Sequence, residues 1–141
     1  MKKTVLFGRH KKLNAKIVEF ANYLMPISYS SVNEEHLHIR NEVGVFDVSH
    51  MGEIEISGSN SLKFIQQICS NDISKIKIGK AQYNCLTNDL GGIIDDLIVY
   101  RLEENKYLLV VNASNISKDL DWILKQNREF NCSIVNISDE I

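Results

Sequence analysis

The chain has 141 residues, 44% of them hydrophobic and 24% charged, with a net charge of −2. That is enough chain to bury a core without staples. One Pro and seven Gly exclude a long flexible linker, mixed charges exclude a dedicated nucleic-acid surface, and no apolar run approaches the ~20 residues that cross a bilayer.

The basic start, Met1 to Lys12, reads as a solvated first turn. Ser31-Val32-Asn33-Glu34 has capping-box spacing, with Val32, His36, Ile39 and Val43 recurring at helical intervals behind it. This predicts a helix over 31–42 that stops near Gly44. Phe46 to Ser57 reads as extended, with Ile54 and Ile56 alternating against Glu53 and Glu55. Gly58-Ser59-Asn60 turns the chain into a helix over 60–69, with Leu62, Ile65, Ile68 and Cys69 on one side. Strands are predicted over 80–87, 93–101 and 106–111, separated by turns at Asn88–Gly92 and Leu102–Asn105. Asn112 to Asn115 offers N-caps for a helix over 115–127, whose face carries Ile116, Leu120, Ile123, Leu124 and Asn127. A last strand covers 132–137. Strand, helix, three-strand meander, helix, strand describes an α+β fold: an antiparallel or mixed sheet with helices packed on one face.

Cys69, Cys85 and Cys132 are odd in number and widely spaced, which points to reduced thiols in a reducing compartment. No apolar segment follows the basic start, so it is not a secretory signal, and a cytoplasmic location is expected.

His36 and His38 are two apart on a helix, about 200° around its axis, and cannot face one metal ion; one surface and one half-buried histidine are expected. Ser49-His50 suggests a nucleophile and base, but adjacent strand residues point to opposite faces. Gly91-Gly92 fits neither phosphate-binding spacing. Tyr83, Tyr100 and Tyr107 read as core or edge aromatics, or as stacking partners for a flat ligand.

Asp95-Asp96 is the sharpest feature, set in the otherwise apolar run Gly91 to Tyr100. Alternation sends the two carboxylates to opposite faces, so they cannot flank one glycosidic bond or ligate one metal together. At least one lies on an apolar face and needs a hydrogen-bonding partner or a ligand. Two readings stay open: a ligand-binding carboxylate, or one Asp capping the Gly-Gly turn while the other takes a backbone N–H or lies at an exposed edge.

The stretches Asn14 to Ala21, Met25 to Ser30, Glu35-His36-Leu37 with Arg40, and Gly44 to Glu53 recur in order. So do Ser70-Asn71-Asp72, Gly79-Lys80 with Tyr83, Gly91 to Tyr100, and Val110 to Ser114 with Lys118-Asp119. Together they resemble the aminomethyltransferases of the glycine cleavage system, the T-proteins, over Lys3 to about Trp122. Phe46-Asp47-Val48-Ser49-His50-Met51-Gly52 and Gly91-Gly92-Ile93-Ile94-Asp95-Asp96-Leu97 are specific in combination.

The resemblance implies the folate-binding N-terminal portion of such an enzyme over 1–141, with downstream domains absent. It also implies an activity: passing the methylene of an aminomethyl group on the lipoyl arm of H-protein to tetrahydrofolate, with release of ammonia and without a metal. Asp96 matches the essential carboxylate and would act from an apolar, dry site. Met51, Tyr83, Tyr100 and Asn112 match folate-lining positions, and Lys80 falls in a region that docks the acidic H-protein. Two departures are local. Thr4-Val5-Leu6 stands where the family has Thr-Pro-Leu, and Asn22 replaces a Gly that would adopt positive φ, a place where Asn is well tolerated. Other readings are a folate-binding relative that repairs iron–sulfur proteins or modifies RNA, against which the Ser49-to-Gly52 block argues, and a truncated, non-catalytic folate-binding or assembly module.

Overall fold

The computed structural model describes residues 1–140. The chain forms two compact units, one over Met1–His50 and one from Met51 onward.

The first unit contains β1 (Lys2–Lys3), α1 (Phe7–Lys12), β2 (Lys16–Phe20), β3 (Tyr23–Ser28) and α2 (Val32–Asn41). β2 and β3 are an antiparallel hairpin, and β1 pairs parallel to β3. Phe20 faces Tyr23, so the loop is the two residues Ala21 and Asn22, at φ of 48° and 65°. A two-residue hairpin with the right twist needs positive φ at both positions, which places Asn22 in the conformation its chemistry tolerates. The sequence reading did not anticipate this sheet. Its strands are short, their apolar residues run in pairs (Ile17-Val18, Leu24-Met25) rather than alternating, and Pro26 speaks against a strand.

α2 appears as predicted, with the Ser31 hydroxyl accepting from the Glu34 N–H at 3.3 Å. Glu35 rather than Glu34 completes the cap: its Oε1 accepts from the N–H groups of Tyr29 and Ser30 at 2.6 and 2.9 Å. Residues 43–51 are irregular, whereas extended chain was expected from Phe46. The reason is Asp47. Its Oδ1 accepts from the Ser49 N–H (3.0 Å) and hydroxyl (2.7 Å), curling the chain, while Oδ2 accepts from buried His10 Nε2 at 2.6 Å. His10 Nδ1 then accepts from the Tyr29 hydroxyl at 2.7 Å. Burial by itself would raise the Asp47 carboxyl, but the hydrogen bonds from His10 and Ser49 outweigh it and hold the group well below the usual carboxylate range.

The second unit contains β4 (Gly52–Ser57), α3 (Ser61–Ile68), β5 (Lys80–Thr87), β6 (Ile93–Glu103), β7 (Lys106–Val111), α4 (Ile116–Gln126) and β8 (Ser133–Asn136). All neighbours in the sheet are antiparallel, in the order β5-β6-β7-β4-β8. One face of the sheet supplies Ile54, Ile56, Leu86, Leu97, Val99, Tyr107, Leu109 and Val111 to the core; Phe64, Ile65 and Ile68 of α3 and Ile123 of α4 cover them. Each such fully buried side chain contributes about 1.5–3 kcal/mol of transfer free energy. This is the α+β arrangement expected from the sequence, helices on one face included. Cys69 and Cys132 are buried free thiols and Cys85 a half-buried one; burial first, and the nearby Cys85 second, push the Cys69 thiol up to about 12.

At Gly52, β4 lies against the Ile116 side chain that opens α4. A Cβ there would stand 2.9 Å from both Ile116 Cδ1 and Val111 Cγ2, and nearer still to Ile116 Cγ1. Gly52→Ala is expected to cost about 1–3 kcal/mol in urea denaturation, through overpacking. Because the Asp47 pKa is lowered on folding, its contribution is present at neutral pH and lost as pH falls below the unfolded carboxylate range near 4. Melting curves from pH 7 to pH 3 should show this acid loss, and Asp47→Asn should shrink it while costing about 1.5–3 kcal/mol at pH 7.

Candidate functional site

β6 is the element that positions the site. Alternation along it turns Asp95 toward the helices, 7% exposed, and Asp96 toward the open face of the sheet. The sequence reading set Asp96 in an apolar, dry environment; the structure gives that environment to Asp95, because the face shared with Leu97 and Val99 is the one the helices cover.

Both carboxylates meet at Asn112. β7 ends with Val111 opposite Leu97, so one further step in register sets Asn112 beside Asp96. There the ladder has stopped, and the Asn112 side chain can reach around the strand end. Its Nδ2 donates to Asp95 Oδ1 at 3.0 Å, to Asp96 Oδ1 at 3.0 Å and to the Asp96 carbonyl at 3.2 Å. The backbone N–H of Asn112 also donates to Asp95 Oδ2 at 3.4 Å, and Asn115 Nδ2 donates to Asp95 Oδ1 at 2.8 Å. On the open face, the Tyr83 hydroxyl donates to Asp96 Oδ2 at 3.1 Å, and this hydrogen bond to an anion raises the Tyr83 pKa.

Behind Asp95 lies Asp119 of α4, fully buried. Burial first, and Asp95 second, push its carboxyl up to about 8, only partly opposed by the Lys118 ammonium. Asp95 moves the other way: burial disfavours its charge, but hydrogen bonds from Asp119, Asn112 and Asn115 more than compensate and lower its pKa. The two carboxyls thus shift in opposite directions, Asp119 holding its proton more strongly and Asp95 less.

The open face beyond Asp96 is apolar and aromatic. Tyr83, Ile98 and Val110 form one row across β5, β6 and β7, and Ala81, Tyr100 and Leu108 the next. Tyr83 is 62% exposed, and Ile98 and Tyr100 are each 38% exposed. Met51 precedes β4 by one residue, next to Gly52, which pairs with Val111. The structure thus brings Asp96, Tyr83 and Asn112 into hydrogen-bond contact and sets Tyr100 on the same face, while Met51 lies just before β4 and makes no hydrogen bond to them. Lys80 stands apart: it pairs with Arg101, five residues along β6 from Asp96, roughly 17 Å at strand rise.

Neither aspartate caps the Gly-Gly turn, as one sequence reading allowed. Asn88 does, its Oδ1 accepting from Leu90 and Gly92 N–H groups at 3.0 and 2.8 Å. His36 and His38 are both exposed, since α2 buries none of its residues, so the half-buried histidine expected there is not found. Ser49 gives its hydroxyl to Asp47, and the His50 ring packs edge-on to Phe20 and Tyr23 at 5.7 and 6.3 Å. Among the described residues no group of three or more His, Cys, Asp or Glu could hold a metal ion. No helix among them is long and apolar enough to cross a membrane. The sequence reading missed the roles of Asn115 and Asp119. The signal for Asp119 was its position three after Ile116 and four before Ile123, on the apolar stripe of α4.

The surface recesses lie elsewhere. One of about 410 Å³ in the first unit is lined by Tyr29, Glu35 and His38 among others, and one of about 560 Å³ in the second by Asn88, Ile93, Lys118 and Trp122 among others. Asp96 lines neither, because it stands on an open sheet face.

A family profile described as the GCVT N-terminal domain matches residues 6–141. An aminomethyltransferase of Flavobacterium psychrophilum is 54% identical over 139 residues, covering 99% of this chain and 38% of the relative. That of Staphylococcus carnosus is 51% identical over 140 residues, again 99% of this chain and 38% of the relative. The crystal structure of glycine cleavage system aminomethyltransferase T from Bartonella henselae superposes with a TM-score of 0.86 at 34% identity, over 97% of this chain and 38% of that one. The chain thus spans 38% of the length of these curated relatives.

The geometry gives Asn112 and Tyr83 different weights. Asn112→Leu removes the donor shared by both carboxylates and should cost about 1–3 kcal/mol in chemical denaturation at pH 7. Tyr83→Phe removes one exposed hydrogen bond and should change stability by less than about 0.5 kcal/mol.

Proposed function

Because this chain belongs to the GCVT N-terminal domain family, we propose that it is the folate-binding N-terminal portion of an aminomethyltransferase of the glycine cleavage system. The reaction is transfer of the methylene from an aminomethyl group on lipoyl H-protein to tetrahydrofolate, with ammonia released, within one-carbon metabolism. One observation carries this reading: a carboxyl group, that of Asp96, held by Asn112 and Tyr83 at one end of an apolar, aromatic sheet face.

That face fits a flat heteroaromatic ligand rich in ring N–H groups. The Asp96 carboxylate accepts such N–H bonds, while the Tyr83 and Tyr100 rings and Ile98 offer the apolar contact that orients the plane. When bound, tetrahydrofolate would supply the amine that receives the methylene. Asp96, fixed before any ligand arrives, would hold that amine in line and stabilise positive charge developing on it. Asn112 would keep the carboxylate from turning away, and Met51, just before β4, would border the ring. Lys80, an exposed ammonium at the far end of β5, suits long-range pairing with an acidic partner such as H-protein. Three free thiols agree with a cytoplasmic location.

A second reading is a non-catalytic folate-binding or assembly module; the share of the relatives' length that the chain spans favours keeping it. Under either reading the chain binds folate, and only the first adds turnover. Isothermal titration of tetrahydrofolate into the chain should detect binding, weakened at least about tenfold by Asp96→Asn at an unchanged melting temperature. A folded wild-type chain with no folate affinity would overturn both readings. Turnover with lipoyl H-protein, once the downstream portion is supplied, separates them.

A further inference from the structure

Asp95 has no place in the chemistry proposed for Asp96, yet it receives more hydrogen bonds than any other carboxylate near it. Asn112 Nδ2 and backbone N–H, and Asn115 Nδ2, all donate to it. Asp119 is the anomaly behind it: both its oxygens are sealed from solvent, and among the described residues no N–H or O–H reaches either. A buried carboxylate with no donor is costly. A carboxylic acid there is not, because it can itself donate, and the acceptor it faces is Asp95. Lys118 on the same helix, whose charge bears on Asp119, spends its ammonium on the Ile94 carbonyl at 2.8 Å. Asp96 and Tyr83 lie on the opposite face of the sheet.

We propose that Asp119 is a positioning residue: its O–H donates to Asp95, which orients the Asn112 and Asn115 amides, and Asn112 in turn sets the Asp96 carboxylate on the open face. The chain of contacts runs from α4 through β6 to the end of β7, so a proton on the helix side governs the geometry of a carboxylate on the other side of the sheet. Ionising Asp119 places two carboxylates against each other and releases the Asn112 amide. Charges that bear on this step are Asp95 of β6, which raises the Asp119 pKa, and Lys118 of α4, which lowers it. The structural part of this inference is independent of any ligand; its consequence for folate rests on the reading above.

The test uses nuclear magnetic resonance of the ligand-free chain, following the Asn112 and Asn115 side-chain amides and the Asp carboxyl carbons from pH 4 to pH 9.5. Asp119 should remain protonated through pH 7, and the Asn112 amide and Asp96 carboxyl signals should move together in a transition near pH 8. Asp119→Asn, which keeps a donor and cannot ionise, should abolish that transition while retaining the neutral-pH positions. Asp119→Leu should shift the Asn112 and Asp96 signals at pH 7. Titration of Asp119 in the ordinary range near 4, or an Asp119→Leu variant with unmoved Asn112 and Asp96 signals, overturns the proposal. If Asp119→Leu does not fold, the comparison of wild type with Asp119→Asn decides it. In parallel titrations, tetrahydrofolate affinity should fall at least about tenfold between pH 7 and pH 9.5 in wild type and stay level in Asp119→Asn. Absence of folate binding with the spectral transition intact would count against the folate reading alone.

Discussion

Two neighbouring residues on a strand cannot aim their side chains the same way, and the second unit is organised around that constraint at Asp95 and Asp96. The pleat sends one carboxylate into the helix layer and the other into the open. Only a group at the end of a strand can touch both, and the chain supplies one where β7 stops. Asn112 converts a divergence imposed by backbone geometry into a single hydrogen-bonded cluster. Had β7 run one residue further, the ladder would have claimed that position and left Asp95 to the helices alone.

The cluster also divides labour between the faces. On the covered side, low polarity makes every hydrogen bond to Asp95 count and makes a second charge at Asp119 expensive. On the open side, the Asp96 carboxyl stands beside tyrosine rings. The covered side thus favours one charge, on Asp95, and disfavours a second on Asp119.

Much of this was legible in the residues. Period-two alternation from Ile93 to Tyr100 fixes the divergence of the aspartates, and the Asn88–Gly92 turn signal marks where β5 ends and β6 begins. The helices α3 and α4 follow from their apolar spacing. What pattern could not supply was the long-range partner of a polar residue. Asp119 reads as one more charge on an amphipathic helix until the strand beneath it is known. Asp47 reads as part of a strand until His10, thirty-seven residues earlier, is seen to hold it. Which carboxylate is dry is likewise a tertiary fact, since alternation separates two faces without saying which one the helices cover. The small sheet of the first unit escaped for a different reason: its strands pair locally but bury little, so the apolar alternation that betrays a strand never develops.

The order of strands in the second unit also bears on how the chain reaches this state. β4 is the first strand of the unit, yet both its neighbours, β7 and β8, come from its later half: Ile54 pairs with Leu109 on one side and Asn136 on the other. The β5-β6-β7 meander can close through local turns, whereas β4 must hold both edges open until distant sequence arrives. Such non-local pairing costs loop-closure entropy before it gains contacts, a cost the local β5-β6-β7 turns do not carry. During synthesis, β4, with its alternating Ile54 and Ile56, is an unpaired apolar edge exposed to association with other chains. Glu53 and Glu55, which occupy the alternate positions, put charge on that same edge while it waits.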